Sequence, residues 1–553
     1  MASQAFLLGA SITVAAIWLT VTFIRYLLST QRPKDFPPGP PTFPGLGNLH
    51  QIPLKLPFIK FQEWSKTYGD IVGLKLGSNN LIVLHNPEHM HELFEKRSAI
   101  YSGRPYAYIP VEHVYQEHKD KHIINLQNTP YLRKWRANVA YLVSTAGIRQ
   151  NMPIQEATAA TLVNKLLQQP SSPSDCFDHF KYWALATPLL AISGQRLEDH
   201  GKTFTDRFCT AQQKWVEILE PGTAPLATFF PPLRWVPERF SGWKKKARYV
   251  REYMIDEYFS LVESAKKFCI SPDNGGKPKG KSGYDTGRFR CVLTRILEEV
   301  AERKGKGQEN QLLSTDAEIA YVGGGLLDAA VDTTLATFTS LIMFMAAYPE
   351  VQAKACEEIH RVSPDKPPGA NVAGQLPYVQ ACVTEIIRLR PPVPSGLSHL
   401  AERDDVFMGY KIPKGTSVLA NAWAIHQNTD DFDHPEEFRP ERYLQNPVGI
   451  KPDAKNSFER RRPTYTFGAG RRVCPGTQFA ENAVAMAISK VLWAFKIVAP
   501  EPLDLSLETG FHSGLVTTPN PFKVDFVLHD EARKESVVLD HKETSAALEQ
   551  IGI

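Results

Sequence analysis

Near its C-terminal end the chain carries a lone cysteine, Cys474, within Pro463-Thr-Tyr-Thr-Phe467-Gly-Ala-Gly470-Arg-Arg472-Val-Cys474-Pro-Gly476, just before an apolar stretch of helical character. No other segment constrains the fold as tightly, because it must close into a loop around sulfur and then launch a helix from it. A thiolate in a dry site needs N–H donors, nearby positive charge and protection from water. Glycines let the backbone approach and turn its N–H groups toward sulfur. Arg472 can pair with an anion at the edge of a bound cofactor. Phe467 can shield the sulfur, and Gly476 lets the following helix start with its positive end beside a negative ligand. One cysteine in the segment is too few for a zinc cage or an iron–sulfur cluster. An ordinary buried thiol in a helix-entry loop is the bland alternative.

The spacing F-x-x-G-x-R-x-C-x-G, filled at Phe467, Gly470, Arg472, Cys474 and Gly476, resembles the haem-ligand loop of the cytochrome P450 family. The resemblance implies that Cys474 is the metal ligand, axial to haem iron. It also implies a mainly α fold with small β-sheets, the cytochrome P450 fold, behind one N-terminal transmembrane helix. Other segments agree. On a helix predicted over Tyr378–Arg390, Glu385 and Arg388 lie three residues apart and share a face. Downstream, Phe438-Arg-Pro440-Glu-Arg442-Tyr443 resembles the family segment whose second arginine joins such a pair. A structural triad of Glu385, Arg388 and Arg442 follows from the resemblance, in which losing one member strands a buried charge.

A long apolar helix opens at Thr315-Asp-Ala-Glu318, a capping-box pattern, and ends at Pro349. It contains Gly323-Gly-Gly-Leu-Leu-Asp328-Ala329-Ala330-Val-Asp332-Thr333-Thr334. Buried carboxylates demand a partner or a purpose, and glycines permit close approach of a ligand. The segment resembles the family's oxygen-binding helix, which makes Asp332 and Thr333 the catalytic acid–alcohol pair for proton delivery. Ala330 stands where glycine is more common. The bland alternative is a threonine hydroxyl bonded back to its own helix.

Haem propionates need donors, and the resemblance assigns three: Arg472, His399 in Pro394-Ser-Gly-Leu-Ser-His399, and Trp135 in Leu132-Arg-Lys-Trp135-Arg136. The basic residue usual four positions after that tryptophan is missing, since the chain has Val139, and Arg136 or a neighbouring base is the expected substitute. Core packing explains Trp135 nearly as well.

With 553 residues and 43% hydrophobic content there is ample material for one large core. Seven irregularly spaced cysteines give no disulfide framework and point to a reducing compartment. A net charge of +4 does not suggest nucleic acid. From Ala5 to Ile24 no charge interrupts the chain, and Arg25, Arg32 and Lys34 follow. This reads as an uncleaved single-pass anchor whose C-terminal side faces the cytosol. The expected division is an anchor over 1–28, a basic, proline-rich linker over 29–45, the haem-thiolate monooxygenase domain over 46–530, and a charged tail over 531–553 with no assignable role.

Short strands are expected within Gly69–His85, Asp405–Leu419 and Phe522–Val527. Phe229-Phe-Pro-Pro-Leu-Arg-Trp235-Val-Pro237 and Trp243-Lys-Lys-Lys246 are aromatic and basic enough to touch a membrane surface. Cys269–Gly287 reads as a loop insertion. His113, His118 and His122 lie in a polar stretch and read as a solvated segment beside the pocket rather than a metal site. Substrate-facing candidates are Tyr101–Asn125, Gly324–Asp328, Val393–Leu397 and Phe511–Val516.

The resemblance thus implies a monooxygenase that inserts one oxygen atom of O2 into a hydrophobic small molecule, with haem as cofactor. Electrons would come from a separate NADPH-dependent reductase in the endoplasmic reticulum membrane. Gly242-Trp-Lys-Lys-Lys-Ala-Arg248 and Gly409-Tyr-Lys-Ile-Pro-Lys-Gly415 look most like fungal microsomal members that act on terpenoid or polyketide metabolites. Two rivals stand beside this expectation: a haem-thiolate isomerase or dehydratase that needs no external electrons, and a non-enzymatic haem sensor or carrier.

Overall fold

A computed structural model describes residues 2–168, 173–219, 226–270, 289–306, 313–454 and 459–551. Most of the insertion expected at Cys269–Gly287 lies outside the described residues. The fold is built around one helix, Asp316–Ala347. Its start is fixed by the expected capping box: Thr315 Oγ1 accepts the Glu318 N–H at 3.2 Å, and the Glu318 carboxylate accepts the Thr315 N–H at 3.2 Å. Pro349 opens the next helix, Pro349–Val362. Although apolar and long enough to cross a bilayer, Asp316–Ala347 is the core of the domain. Phe338, Leu341, Ile342 and Phe344 are all buried, each stabilising the fold by about 1.5–3 kcal/mol. Helices Pro173–Ser193 and Gly242–Ile270 pack on it, and Trp183 meets Phe338 with ring centroids 4.6 Å apart.

The sheet lies beside this helical core. Ile71–Leu76 and Asn79–Leu84 form the expected hairpin about Gly77, whose φ of +59° suits glycine. Ser417–Ala420 adds in parallel to Asn79–Leu84, and His399–Leu400 pairs antiparallel with Ser417–Ala420. Strand pairing therefore places His399. Shorter pairs join Asp405–Phe407 to Tyr410–Ile412 and Phe495–Val498 to Asp525–Leu528. Cys176, Cys209, Cys291, Cys356, Cys382 and Cys474 are free thiols.

Both ends of the chain depart from the simple expectation. The first helix, Ala2–Ser29, exposes large apolar side chains including Ile12, Ile17, Trp18, Phe23 and Leu28. The linker after it is docked rather than extended into solvent. Phe36 is 5% exposed, the Gly73 N–H donates to the Pro38 carbonyl at 2.7 Å, and the Lys411 N–H donates to the Asp35 carbonyl at 2.8 Å. A Cβ at Gly73 would meet the Phe36 ring at 2.9 Å, so this approach requires glycine. Tyr26 donates to the Gly45 carbonyl at 2.7 Å, and Arg32 to that of Pro40 at 2.5 Å. The charged tail forms helix Arg533–Gln550, which lies on helix Thr145–Gln168. There Asp540 accepts from the fully buried Lys490 of helix Thr477–Ala494 at 2.7 and 2.9 Å.

Candidate active site

The cysteine loop is closed by local chemistry. Gly468 and Gly470 take φ values of +71° and +59°, and a Cβ at Gly470 would collide with the Phe94 carbonyl. The Cys474 N–H donates to the Phe467 carbonyl at 2.8 Å. Gly476 caps helix Thr477–Ala494 and donates its N–H to Cys474 Sγ at 3.3 Å. Phe467 is half-buried against the core. Burial pushes the Cys474 thiol up, against the opposing pull of the Gly476 N–H, Thr477 and Arg136. Arg136, the expected substitute base, donates instead to the Val473 carbonyl at 2.9 Å and so lies on the sulfur side of the loop. This half-buried sulfur is aimed by the loop, and a bound cation would deprotonate it.

On the central helix, Ala329 is exposed between buried Leu327 and Val331, and Asp332 to Leu335 are half-exposed, so this face borders a cleft. Thr333 Oγ1 donates back to the Ala329 carbonyl at 2.7 Å, which leaves its lone pairs as acceptors. Asp332 has no side-chain hydrogen bond or ion pair among the described residues. Burial, and then the neighbouring Asp328, push its carboxyl up to about 7.

Asp328 is already partnered. It accepts from Gln212 at 2.6 Å and from the Tyr258 hydroxyl, and His122 Nε2 stands 3.7 Å away. His122 therefore corrects the expectation of a solvated segment: it is 2% exposed and stacks on Tyr115 with ring centroids 4.9 Å apart. The reason is long-range, since its segment folds onto Tyr321 of the central helix and onto rings from two other helices, Trp215 and Tyr258. The glycine run is corrected with it. The space beside Gly324 is filled by the Tyr258 ring and that beside Gly323 by Leu293, so these glycines admit protein side chains rather than a ligand.

Glu385, Arg388 and Arg442 come together. Arg388 donates from Nε and Nη2 to the two Glu385 oxygens at 2.8 and 2.9 Å, and Arg442 Nε donates to Glu385 Oε1 at 3.1 Å. Remaining donors reach the carbonyls of His426, Asp433 and His434 at 2.9, 3.0 and 3.2 Å. With side chains at most 5% exposed, the network satisfies itself and presents nothing to a ligand.

A second convergence is basic. Arg472 donates from Nε and Nη2 to the Ser102 carbonyl at 2.9 and 2.7 Å, and burial lowers it to about 10. His399 Nδ1 lies 2.6 Å from the Tyr101 carbonyl, which can only accept, so Nδ1 carries the proton. Its ring stacks on Phe94 at 3.8 Å. Trp135 and Val139, one turn apart on helix Pro130–Val139, are both buried in the core. Sequence reasoning missed Arg104, which is 7% exposed and donates to the Leu397 and Ser398 carbonyls at 3.2 and 2.6 Å. Its only local signal was a glycine–arginine–proline turn; its neighbours come from about 300 positions away.

A cysteine loop with an N–H aimed at sulfur, a core helix carrying an unpartnered carboxyl, and arginines with donors to spare are the features of a haem-thiolate protein. The cytochrome P450 family model matches residues 37–526. The chain is 34% identical over 537 residues to the cytochrome P450 monooxygenase grgG of a Penicillium species, covering 94% of this chain and 93% of that protein. It is 32% identical to fogE of Aspergillus ruber, covering 97% and 93%, and 30% identical to atE of Aspergillus terreus, covering 96% and 94%. Both are also named cytochrome P450 monooxygenases. The chain belongs to the cytochrome P450 family and is a monooxygenase, an oxidoreductase of the haem-thiolate class.

The residues present fit that cofactor. Three buried donors, Trp135 Nε1, Arg472 Nη1 and Arg104 Nε, have no hydrogen-bond partner among the described residues. Buried donors of this kind call for acceptors, and the two carboxylates of haem supply them.

Proposed function

We propose that this enzyme oxidises a hydrophobic small molecule, a fungal secondary metabolite of terpenoid or polyketide type, with electrons from a separate NADPH-dependent reductase. The observation that carries the reading is the pairing of an N–H-supported Cys474 sulfur with a carboxyl, Asp332, left without a partner on a cleft face. The fungal sources of the relatives support the substrate class.

Haem, when bound, supplies oxygen activation. Cys474 would hold its iron through sulfur, supported by the Gly476 N–H. Arg472 and Trp135 would hold its carboxylates, joined by His399 once its Nε2 is protonated as well, while Phe467, Gly470 and Gly476 would shape the loop that shields the sulfur. Asp332 holds a proton near neutral pH, and Thr333, its own proton committed to the Ala329 carbonyl, accepts and orients the water or hydroxyl that carries protons onward. Glu385, Arg388 and Arg442 brace the wall behind the loop. Helix Ala2–Ser29 anchors the protein in the endoplasmic reticulum membrane, with the basic residues after it and the catalytic domain on the cytosolic side. Exposed Trp235 and Phe240, at 83% and 70%, lie ready to touch that surface.

The test is the ferrous carbon-monoxide difference spectrum of membranes expressing the chain beside a Cys474→Ala control, followed by NADPH consumption with reductase and candidate substrates. A red-shifted Soret band lost in the variant, and consumption that needs both reductase and substrate, are expected. Product formed without electrons would favour the isomerase; no consumption with any substrate would favour the sensor.

A further inference from the structure

We propose that Asp328 is a positioning residue, a carboxylate fixed by Gln212 and Tyr258 one helical turn before Asp332, whose charge keeps the proton on Asp332. The inference deepens the proton-holding role given to Asp332 above and names the group that enforces it.

Three observations carry it. First, the two acids share a face. Asp328 and Asp332 stand four residues apart on helix Asp316–Ala347, a spacing that sets their Cβ atoms about 5–6 Å apart. After burial itself, Asp328 is the one charge among the described residues that acts on Asp332.

Second, Asp328 is held by groups from three separate elements, and none of them neutralises it. Gln212 of helix Gly201–Leu219 donates to Oδ1 at 2.6 Å, and the Tyr258 hydroxyl of helix Gly242–Ile270 donates to Oδ2. His122 Nε2 faces Oδ2 at 3.7 Å, but its Nδ1 accepts the Ile124 N–H at 3.3 Å, so the ring carries one proton and no charge. With its side chain only 7% exposed, Asp328 is screened little by water. A negative charge held in dry protein raises the cost of a second one beside it.

Third, the other groups on this face leave the field to Asp328. Burial pushes the Tyr115, Tyr253, Tyr258 and Tyr321 hydroxyls up, and the Cys209 thiol up to about 11, so all stay neutral near pH 7. From helix Pro173–Ser193, Lys181 and Asp178 act on Cys209 rather than on Asp332. Glu257, pushed up to about 7 by burial against the pull of Arg207, is the one other acid of this cluster whose charge changes in the same range.

A purely structural Asp328, tying the helices above the cleft to the central one, is the competing reading, and a titration of Asp332 itself separates the two. The purified full-length protein would be titrated by infrared spectroscopy, following the protonated-carboxyl stretch that Asp332→Asn removes, which distinguishes it from that of Glu257. In wild type this band should fade at about pH 7. In Asp328→Asn, which keeps the size and can still accept a hydrogen bond, the midpoint should fall by roughly one pH unit or more. Asp328→Glu keeps the charge and should stay close to wild type. A midpoint unmoved in Asp328→Asn would overturn the assignment, since burial alone would then hold the proton; so would a glutamate variant that shifts as far as the asparagine one. Should Asp328→Asn not accumulate, Asp328→Ser, smaller and still able to accept, reads the same contrast. A wild type with no thiolate-haem spectrum would remove the proposed reaction, while this titration would still decide what holds the proton on Asp332.

Discussion

Asp332 and Glu385 are both carboxyls on helices of the core, and the protein treats them in opposite ways. Glu385 has two arginines, so removing its charge strands them: Glu385→Gln is expected to cost about 3–5 kcal/mol and to prevent accumulation of folded holoprotein. Asp332 has no cation, and its folded value near 7 lies above its ordinary 3.8. As pH rises from about 4 to 7 the unfolded chain gives up this proton before the folded one does, so stability falls across that window and then levels. Asp332→Asn should therefore be the more stable protein above pH 7, by at most about 4 kcal/mol, and equal to wild type near pH 4. Urea unfolding at both pH values would check this, and turnover should drop roughly hundredfold. The turn around Cys474 was legible because loop geometry is local: glycines, an aromatic and a cysteine at fixed spacing define it. Arg104 and His122 were not, because each is defined by groups distant in the chain.

At the level of elements, the central helix was legible at both ends, where Thr315 and Pro349 act through their immediate neighbours. Thr315→Ala should cost about 1 kcal/mol in thermal unfolding, the usual worth of such a cap. The glycine run within the helix was misread, because a missing side chain announces room without naming what fills it. Tyr258 fills it at Gly324. Gly324→Ala should push that ring aside and break its hydrogen bond to Asp328, destabilising the fold by about 1–3 kcal/mol. Unfolding of the single variants beside a Gly324→Ala, Tyr258→Phe double variant would measure the coupling, and additive losses would count against a clash.

Over the whole molecule, composition suggests a division into anchor, linker, domain and tail, but it does not say what docks on what. The tail is charged because one face meets solvent, yet Asp540 is what Lys490 requires. Ending the chain at Asp530 leaves that lysine buried and alone, and should cost about 3–5 kcal/mol in thermal unfolding; adding Lys490→Met should restore part of it. The linker carries a different consequence. Phe36 seated against the sheet, Asp35 tied to Lys411, and Tyr26 tied to Gly45 make the stretch behind the first helix a fixed stem. A helix held upright by lipid would then dictate the pitch of the domain much as a keel sets the trim of a hull. Which rim of the cleft dips toward the oily phase, and from which side a lipid-soluble molecule arrives, would be settled by a handful of backbone hydrogen bonds far from iron.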